Sequence, residues 1–130
     1  MKSLNQLRDE VHANAKEKGF CDKPRDVGTM LMLVVSELAV ALEADRSNYF
    51  CDFSKYEECK KEMSAGLNTS EEIEKQAFET YIKNTFEDEL ADVIIRVLDI
   101  CGYFNIDIER NVLAKMEYNK TREKMHSKKY

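Results

Sequence analysis

The sequence is poor in the residues that interrupt helices. It contains one proline (Pro24), four glycines and no tryptophan. So few chain-breaking residues leave little room for the turns that a small β-protein needs. We therefore expect long helices rather than a sheet.

Long apolar runs and paired cysteines are missing as well. The sequence has no stretch of eighteen apolar residues, and its first segment, MKSLNQLRDE, lacks the apolar centre of a secretory signal. The four cysteines form no CxxC pair and have no histidine near them at zinc-finger spacing. We therefore expect a cytoplasmic protein with reduced thiols and no membrane partner.

Positive charge is concentrated at one end of the chain. The whole sequence has 25 acidic and 20 basic residues and a net charge of -5. This balance argues against a nucleic-acid partner, because binding to the phosphate backbone needs clustered lysine and arginine. On charge alone, the simplest interpretation of the basic end is a solvated tail that stabilises a helix. Its residues are Lys115, Lys120, Arg122, Lys124, Lys128 and Lys129.

What the sequence does contain is helical periodicity, in four blocks at about residues 3–19, 27–45, 69–103 and 108–125. A bend is expected in the third block near Asn84 and the threonine that follows it. No internal repeat or low-complexity segment interrupts the pattern. One all-α domain, a helical bundle over residues 1–130, accounts for the chain.

The stretch between the second and third blocks differs in character. Residues 46–68 are polar and aromatic and then rich in charge, which indicates a loop followed by a short exposed helix. Thr69 and Glu72 match a capping box, so the third block is predicted to begin there.

Carboxylates occur where the core is expected. Glu37 lies within the most apolar block, and Glu89 and Asp92 open a second apolar helix. An ionised carboxylate is costly to bury unless it is paired or bound to a cation. Glu89 and Asp92 are about 60° apart around a helix, and Arg96 and Asp99 continue the same face. Two core helices could therefore direct acidic oxygens towards a shared space that suits a hard cation such as Mg²⁺.

A purely structural arrangement explains the same spacing. The acids of the second helix could form an ion-pair ladder along it with Arg96, while a basic residue from elsewhere pairs with Glu37. The residues alone leave both interpretations open. Covalent catalysis is not indicated, because Ser36, Cys101 and His126 form no nucleophile–base set, and His12 is expected on a helix surface.

Several motifs occur in a characteristic order. VSELAVALEADR spans residues 35–46, and DELADVIIRVLD, which contains an ExxD element, spans residues 88–99. KGF precedes them, and GYFNIDIE, KMEYNKTR and HSKKY follow. With these motifs the chain resembles the MazG-like branch of the all-α NTP pyrophosphatases over most of its length. The match is weakest at about residues 46–84, which resemble an insertion between the two acidic helices.

The resemblance implies a MazG-like bundle of four to five helices that assembles as a homodimer or homotetramer. It implies hydrolysis of nucleoside triphosphates to a monophosphate and pyrophosphate, a housecleaning or pool-control activity that uses Mg²⁺, with Mn²⁺ as a substitute. Glu37 and Glu89 match catalytic positions, with Glu89 as a metal ligand or as the base that activates water. The metal positions are Glu37, Glu89 and Asp92, and the phosphate-binding positions are Lys115, Asn119 and Arg122.

Val40 departs from the family pattern. The family has a second glutamate at this position, one turn after Glu37, and valine cannot coordinate a metal. Glu43 lies about 240° around the helix from Glu37, so Asp99 is the better-placed substitute. The site could bind one ion more weakly, use Asp99 or water, or lack catalysis. The alternative function is therefore a degenerate family member that binds a nucleotide or a protein partner without turnover.

Overall fold

The computed structural model describes residues 1–124, which form six α-helices and no strand. The predicted all-α class is confirmed. His126, Lys128, Lys129 and the predicted helix end near residue 125 lie outside the described residues. The helices are α1 (Leu4–Glu17), α2 (Val27–Arg46), α3 (Phe53–Met63), α4 (Ser70–Tyr81), α5 (Phe86–Tyr103) and α6 (Ile108–Lys120).

The described chain has more helices than the predicted four or five because the third block is divided. Helix α4 ends at Tyr81 and α5 begins at Phe86, so the predicted bend is a complete break. Asn84 lies in this break with a φ of 66°, in the left-handed region that asparagine tolerates better than most residues. The remaining short helix, α3, occupies the stretch for which a short helix was predicted.

The ends of the helices follow local sequence signals. Ser3 with Gln6, and Thr69 with Glu72, form complete capping boxes at the starts of α1 and α4, so the predicted box at Thr69 is confirmed. Gly19 follows α1 with a φ of 88°, a conformation that a residue with a Cβ rarely adopts.

Thr85 fixes the start of α5, and its side chain is fully buried. Its hydroxyl accepts a hydrogen bond from the Asp88 backbone N–H at 3.3 Å and donates to the Ile82 carbonyl at 2.6 Å. The Asp88 carboxylate in turn accepts from the Asn84 N–H at 2.9 Å. These bonds satisfy free N–H groups at the helix start, one turn before Glu89.

Replacing Thr85 with valine should lower the free energy of unfolding by about 1–2 kcal/mol. Valine keeps the shape of the side chain but leaves the Asp88 N–H without its hydroxyl acceptor in a buried position. Urea denaturation of both proteins measures the loss. Thr80→Val is the matched control, because the Thr80 side chain is exposed and should change stability by less than about 0.5 kcal/mol.

The chain divides into two compact units. One consists of Met1–Pro24 together with the chain from Val97 onward, and the other of Arg25–Arg96, so α5 contributes to both. In the first unit, α1 contacts α6 and the end of α5. The Leu4 N–H donates to Glu109 at 2.9 Å, and Arg8 donates to the Ile106 carbonyl at 2.7 Å.

In the second unit, α3 and α4 form a hairpin with its own small core. Tyr56, Ala77 and Ile82 are buried at its centre, and the Tyr56 hydroxyl hydrogen-bonds Glu74. The two ends of the segment that contains α3 and α4 lie next to each other, one after the end of α2 and the other at the start of α5. There the Phe86 N–H donates to the Tyr49 carbonyl at 2.9 Å. The α3–α4 hairpin is thus closed on itself.

Helix α2 is largely exposed for so apolar a helix. Among residues 1–124 it is the one helix whose length and hydropathy would suit a membrane span, with a mean hydropathy of 1.8 in its most apolar window. Only 17% of that window is buried. Length and composition alone do not separate a membrane helix from one that packs against protein.

Candidate metal centre

Three carboxylates converge in the unit of residues 25–96. Glu37 comes from the middle of α2, and Glu89 and Asp92 come from successive turns of α5. One oxygen from each lies within 4.8 Å of the other two. Glu89 is only 4% exposed, and the other two are half-buried. The structure thus brings together the three residues predicted as metal ligands.

The electrostatics of the cluster reflect this crowding. The pKa of Glu89 rises from 4.5 to about 7, first because burial disfavours its ionised form and then because it shares a hydrogen bond with Glu37 and is close to other carboxylates. Burial also raises the pKa of Asp92, and the charge of Arg96 partly opposes that rise. In the metal-free protein, Glu89 and Asp92 therefore stay protonated to higher pH than free carboxyl groups do.

Arg96 is the basic residue that pairs with Glu37. Its Nε donates to Glu37 Oε1 at 2.9 Å, from α5 to α2. The spacing of residues had suggested a ladder along α5, but the guanidinium bonds across to the other helix. One cation against three carboxylates still leaves the cluster net negative when all three are ionised.

The donor set fits a hard divalent cation. All three side chains offer carboxylate oxygens, which Mg²⁺ and Mn²⁺ prefer. Around Mg²⁺ at about 2.1 Å, ligand oxygens lie roughly 3–4 Å apart. Small side-chain rotations would bring oxygens within 4.8 Å of one another to that separation. A cation would also replace the proton that the crowded carboxylates retain.

The remaining candidates on α2 and α5 have other surroundings. Val40 is 46% exposed on α2, and Glu43 forms a surface ion pair with Arg46 at 3.1 Å. Asp99, the predicted substitute ligand, hydrogen-bonds His12 Nδ1 at 2.9 Å within the other unit. The described structure therefore gives Asp99 a histidine partner.

The predicted phosphate-binding residues lie in the unit that contains α1 and α6. Lys115, Asn119 and Arg122 are all exposed. The Lys115 ammonium lies 5.0 Å from the centre of the Tyr118 ring, and the Arg122 guanidinium lies 5.8 Å from it. Two cations are thus gathered around one aromatic ring, and their role as phosphate ligands stays a prediction.

His12 is the residue whose surroundings differ most from the sequence expectation. It was expected on a helix surface, but it is mostly buried and bonded to Asp99. The two residues are 87 positions apart, and no local pattern relates them. The nearby Gly102, which leaves room for the His12 ring, is a signal that only the folded chain makes visible.

No protein-family model, curated protein or solved structure matches this chain.

Proposed function

We propose that the protein is a Mg²⁺-dependent nucleotide pyrophosphohydrolase of the MazG-like type, with Mn²⁺ as a substitute ion. It would hydrolyse nucleoside triphosphates to a monophosphate and pyrophosphate, as a cytoplasmic housecleaning or pool-control activity. The observation that carries the proposal is the convergence of Glu37, Glu89 and Asp92 within 4.8 Å from two helices. Nucleic acid and membrane are not part of it.

The three carboxylates would hold the ion, with Glu89 as the least exposed of them. A bound divalent ion supplies charge neutralisation at the phosphates and orients the attacking water. Glu89 is proposed to act as a metal ligand or as the base that accepts a proton from the attacking water. Lys115, Asn119 and Arg122 are proposed to bind the phosphates through charge-assisted hydrogen bonds.

Pyrophosphate release from a panel of canonical and modified nucleoside triphosphates, with and without Mg²⁺, tests this proposal. We expect Mg²⁺-dependent release that falls at least 100-fold in Asp92→Asn, because that substitution removes a charged ligand. Asp45→Asn, at an exposed acid near the end of α2, is the matched control and should retain activity. Absence of release from the natural protein and from Val40→Glu would rule out the hydrolase.

A binding protein without turnover is the second candidate, and Val40 favours it. This half-exposed valine occupies the position of the expected fourth carboxylate. Under this alternative, Mg²⁺ with a nucleotide raises the melting temperature of the natural protein, but no pyrophosphate appears. Recovery of activity in Val40→Glu would show that the chemistry was lost through this position.

A homodimer or homotetramer is proposed because α2 carries an uncovered apolar stripe. Leu31, Val35, Leu38 and Leu42 are all half-exposed, and their spacing of four, three and four residues aligns them on one side of α2. Glu37 lies about 120° from the stripe around the helix. Its ion pair with Arg96, in the middle of α2, would be costly within lipid, so a second copy of the chain is the better covering.

Sedimentation or light scattering should show a dimer or tetramer. Leu31→Lys should shift it towards the monomer, because a lysine within a packed stripe is strongly unfavourable. Asn14→Lys, on the exposed side of α1, should leave the assembly unchanged. A monomeric natural protein, or one recovered only with membranes, contradicts this part of the proposal.

A further inference from the structure

Arg96 presents only part of its guanidinium to Glu37. The bond at 2.9 Å uses Nε, and it is the one hydrogen bond or ion pair that Arg96 makes among residues 1–124. The side chain is 39% exposed, whereas the Glu37 side chain is 16% exposed. The two terminal nitrogens, which carry four of the five N–H donors, therefore remain available to a ligand.

The position of the Arg96 guanidinium matters because the proposed substrate carries a large negative charge. A triphosphate brings three to four negative charges, and with Val40 the site has three carboxylates to hold divalent ions. Arg96 follows Asp92 by four residues on α5, which places the two side chains on the same face of that helix. A fixed positive charge thus lies beside the carboxylates, on the helix that supplies two of them.

We infer that Arg96 is a substrate-binding residue whose terminal nitrogens bind the phosphates of the triphosphate while Nε stays on Glu37. This inference rests on the proposed function and adds a phosphate ligand to it. Arginine suits the task because its planar fork binds two phosphate oxygens at once, and the bond to Glu37 holds that fork in place before substrate arrives. In this way Arg96 supplies positive charge at a centre that has lost a carboxylate position.

A purely structural role for Arg96 predicts different behaviour. If the guanidinium only neutralises Glu37, its removal should alter stability and metal binding but leave phosphate affinity unchanged. Arg96→Met removes the charge and the donors, and Arg96→Lys keeps the charge without the planar fork. Arg46→Met is the matched control, because Arg46 also pairs with a glutamate of α2 but on the open surface.

The experiment measures calorimetric binding of inorganic tripolyphosphate at saturating Mg²⁺, and of Mn²⁺ alone, to the full chain. We expect Arg96→Met to weaken tripolyphosphate binding at least 10-fold, Arg96→Lys to weaken it less, and Arg46→Met to have no effect. Affinity for Mn²⁺ alone should be unchanged or higher in Arg96→Met, because Glu37 loses a competing cation. Melting curves of each variant verify that it is folded.

The outcomes separate this inference from the proposed function. Natural affinity for tripolyphosphate in folded Arg96→Met overturns the role of Arg96, even if the natural protein releases pyrophosphate. Arg96-dependent binding without pyrophosphate release supports the phosphate ligand and contradicts the hydrolase. A natural protein that neither binds tripolyphosphate nor releases pyrophosphate contradicts both.

Discussion

Replacing Gly102 with alanine should lower the free energy of unfolding by about 3 kcal/mol, although alanine favours helices more than glycine does. A Cβ built at position 102 lies 2.4 Å from the His12 Cβ and 2.7 Å from its Cγ. The nearest of these atoms is fixed to the backbone of α1, so rotation of the histidine ring cannot relieve the clash. Helices α1 and α5 must therefore move apart, and the contacts between them are lost, as happens when a core is overpacked.

The substitution also threatens the hydrogen bond between His12 and Asp99, which is mostly buried. Thermal and urea denaturation measure the loss. Gly66→Ala is the matched control, because a Cβ there has no neighbour nearer than 3.4 Å. If the close approach is the cause, Gly102→Ala and His12→Gly, which removes both the Cβ and the Cγ of His12, should give non-additive changes in a double-mutant cycle. Additive changes would contradict it.

Replacing Glu89 with glutamine should stabilise the metal-free protein at pH 8 by about 3 kcal/mol while removing its response to Mg²⁺. The pKa of Glu89 in the folded chain is about 7, against 4.5 for the free side chain. Each pKa unit corresponds to about 1.4 kcal/mol, so ionisation of Glu89 lowers the free energy of unfolding by about 3 kcal/mol. Glutamine has nearly the same shape and carries no charge.

The direction of the pH dependence follows from the raised pKa. Between pH 4.5 and 7 the folded state keeps a proton that the unfolded state releases, so folding stability falls as the pH rises through this interval. Below pH 4.5 both states are protonated, and this group contributes no difference. Asp92 adds a dependence of the same sign, because its pKa is raised as well.

Melting temperatures of the natural protein and Glu89→Gln, measured without metal at pH 5 and pH 8, test this expectation. The two proteins should melt within a few degrees of each other at pH 5, and the variant should melt several degrees higher at pH 8. Mg²⁺ at pH 8 should raise the melting temperature of the natural protein but not that of Glu89→Gln. Glu58→Gln, at an exposed position on α3, should behave like the natural protein. Equal pH profiles for the natural protein and Glu89→Gln would contradict the buried charge.

Helix starts were predictable where the signal is local. Thr69 and Glu72 lie three residues apart and satisfy each other's backbone, so four residues of sequence define the start of α4. The end of that helix was harder to predict. Asn84 indicated a bend, but a full break depends on a threonine hydroxyl buried between two helices, which is a property of the packed chain.

The acidic cluster was predictable in outline because carboxylates in apolar helices are conspicuous. The hydrogen-bond partners of the neighbouring side chains, Arg96 and Asp99, were not predictable from the sequence. Arg96 shares the face of Asp92 on α5, yet its long side chain reaches Glu37 on α2. Asp99 also shares that face but lies seven residues further, about 10 Å along the axis, where His12 meets it. The angle around a helix predicts the direction in which a side chain points. Its partner also depends on where along the helix axis another helix comes close.

The closed ends of the α3–α4 hairpin give the chain a place where its length can change. The Phe86 N–H donates to the Tyr49 carbonyl at 2.9 Å, so the segment between these two residues begins and ends at the same place. A segment whose ends lie together can be shortened, extended or exchanged at a small entropic cost, without altering how α2 and α5 align. It is a natural position for evolution to vary the protein, and for an engineer to graft a reporter domain.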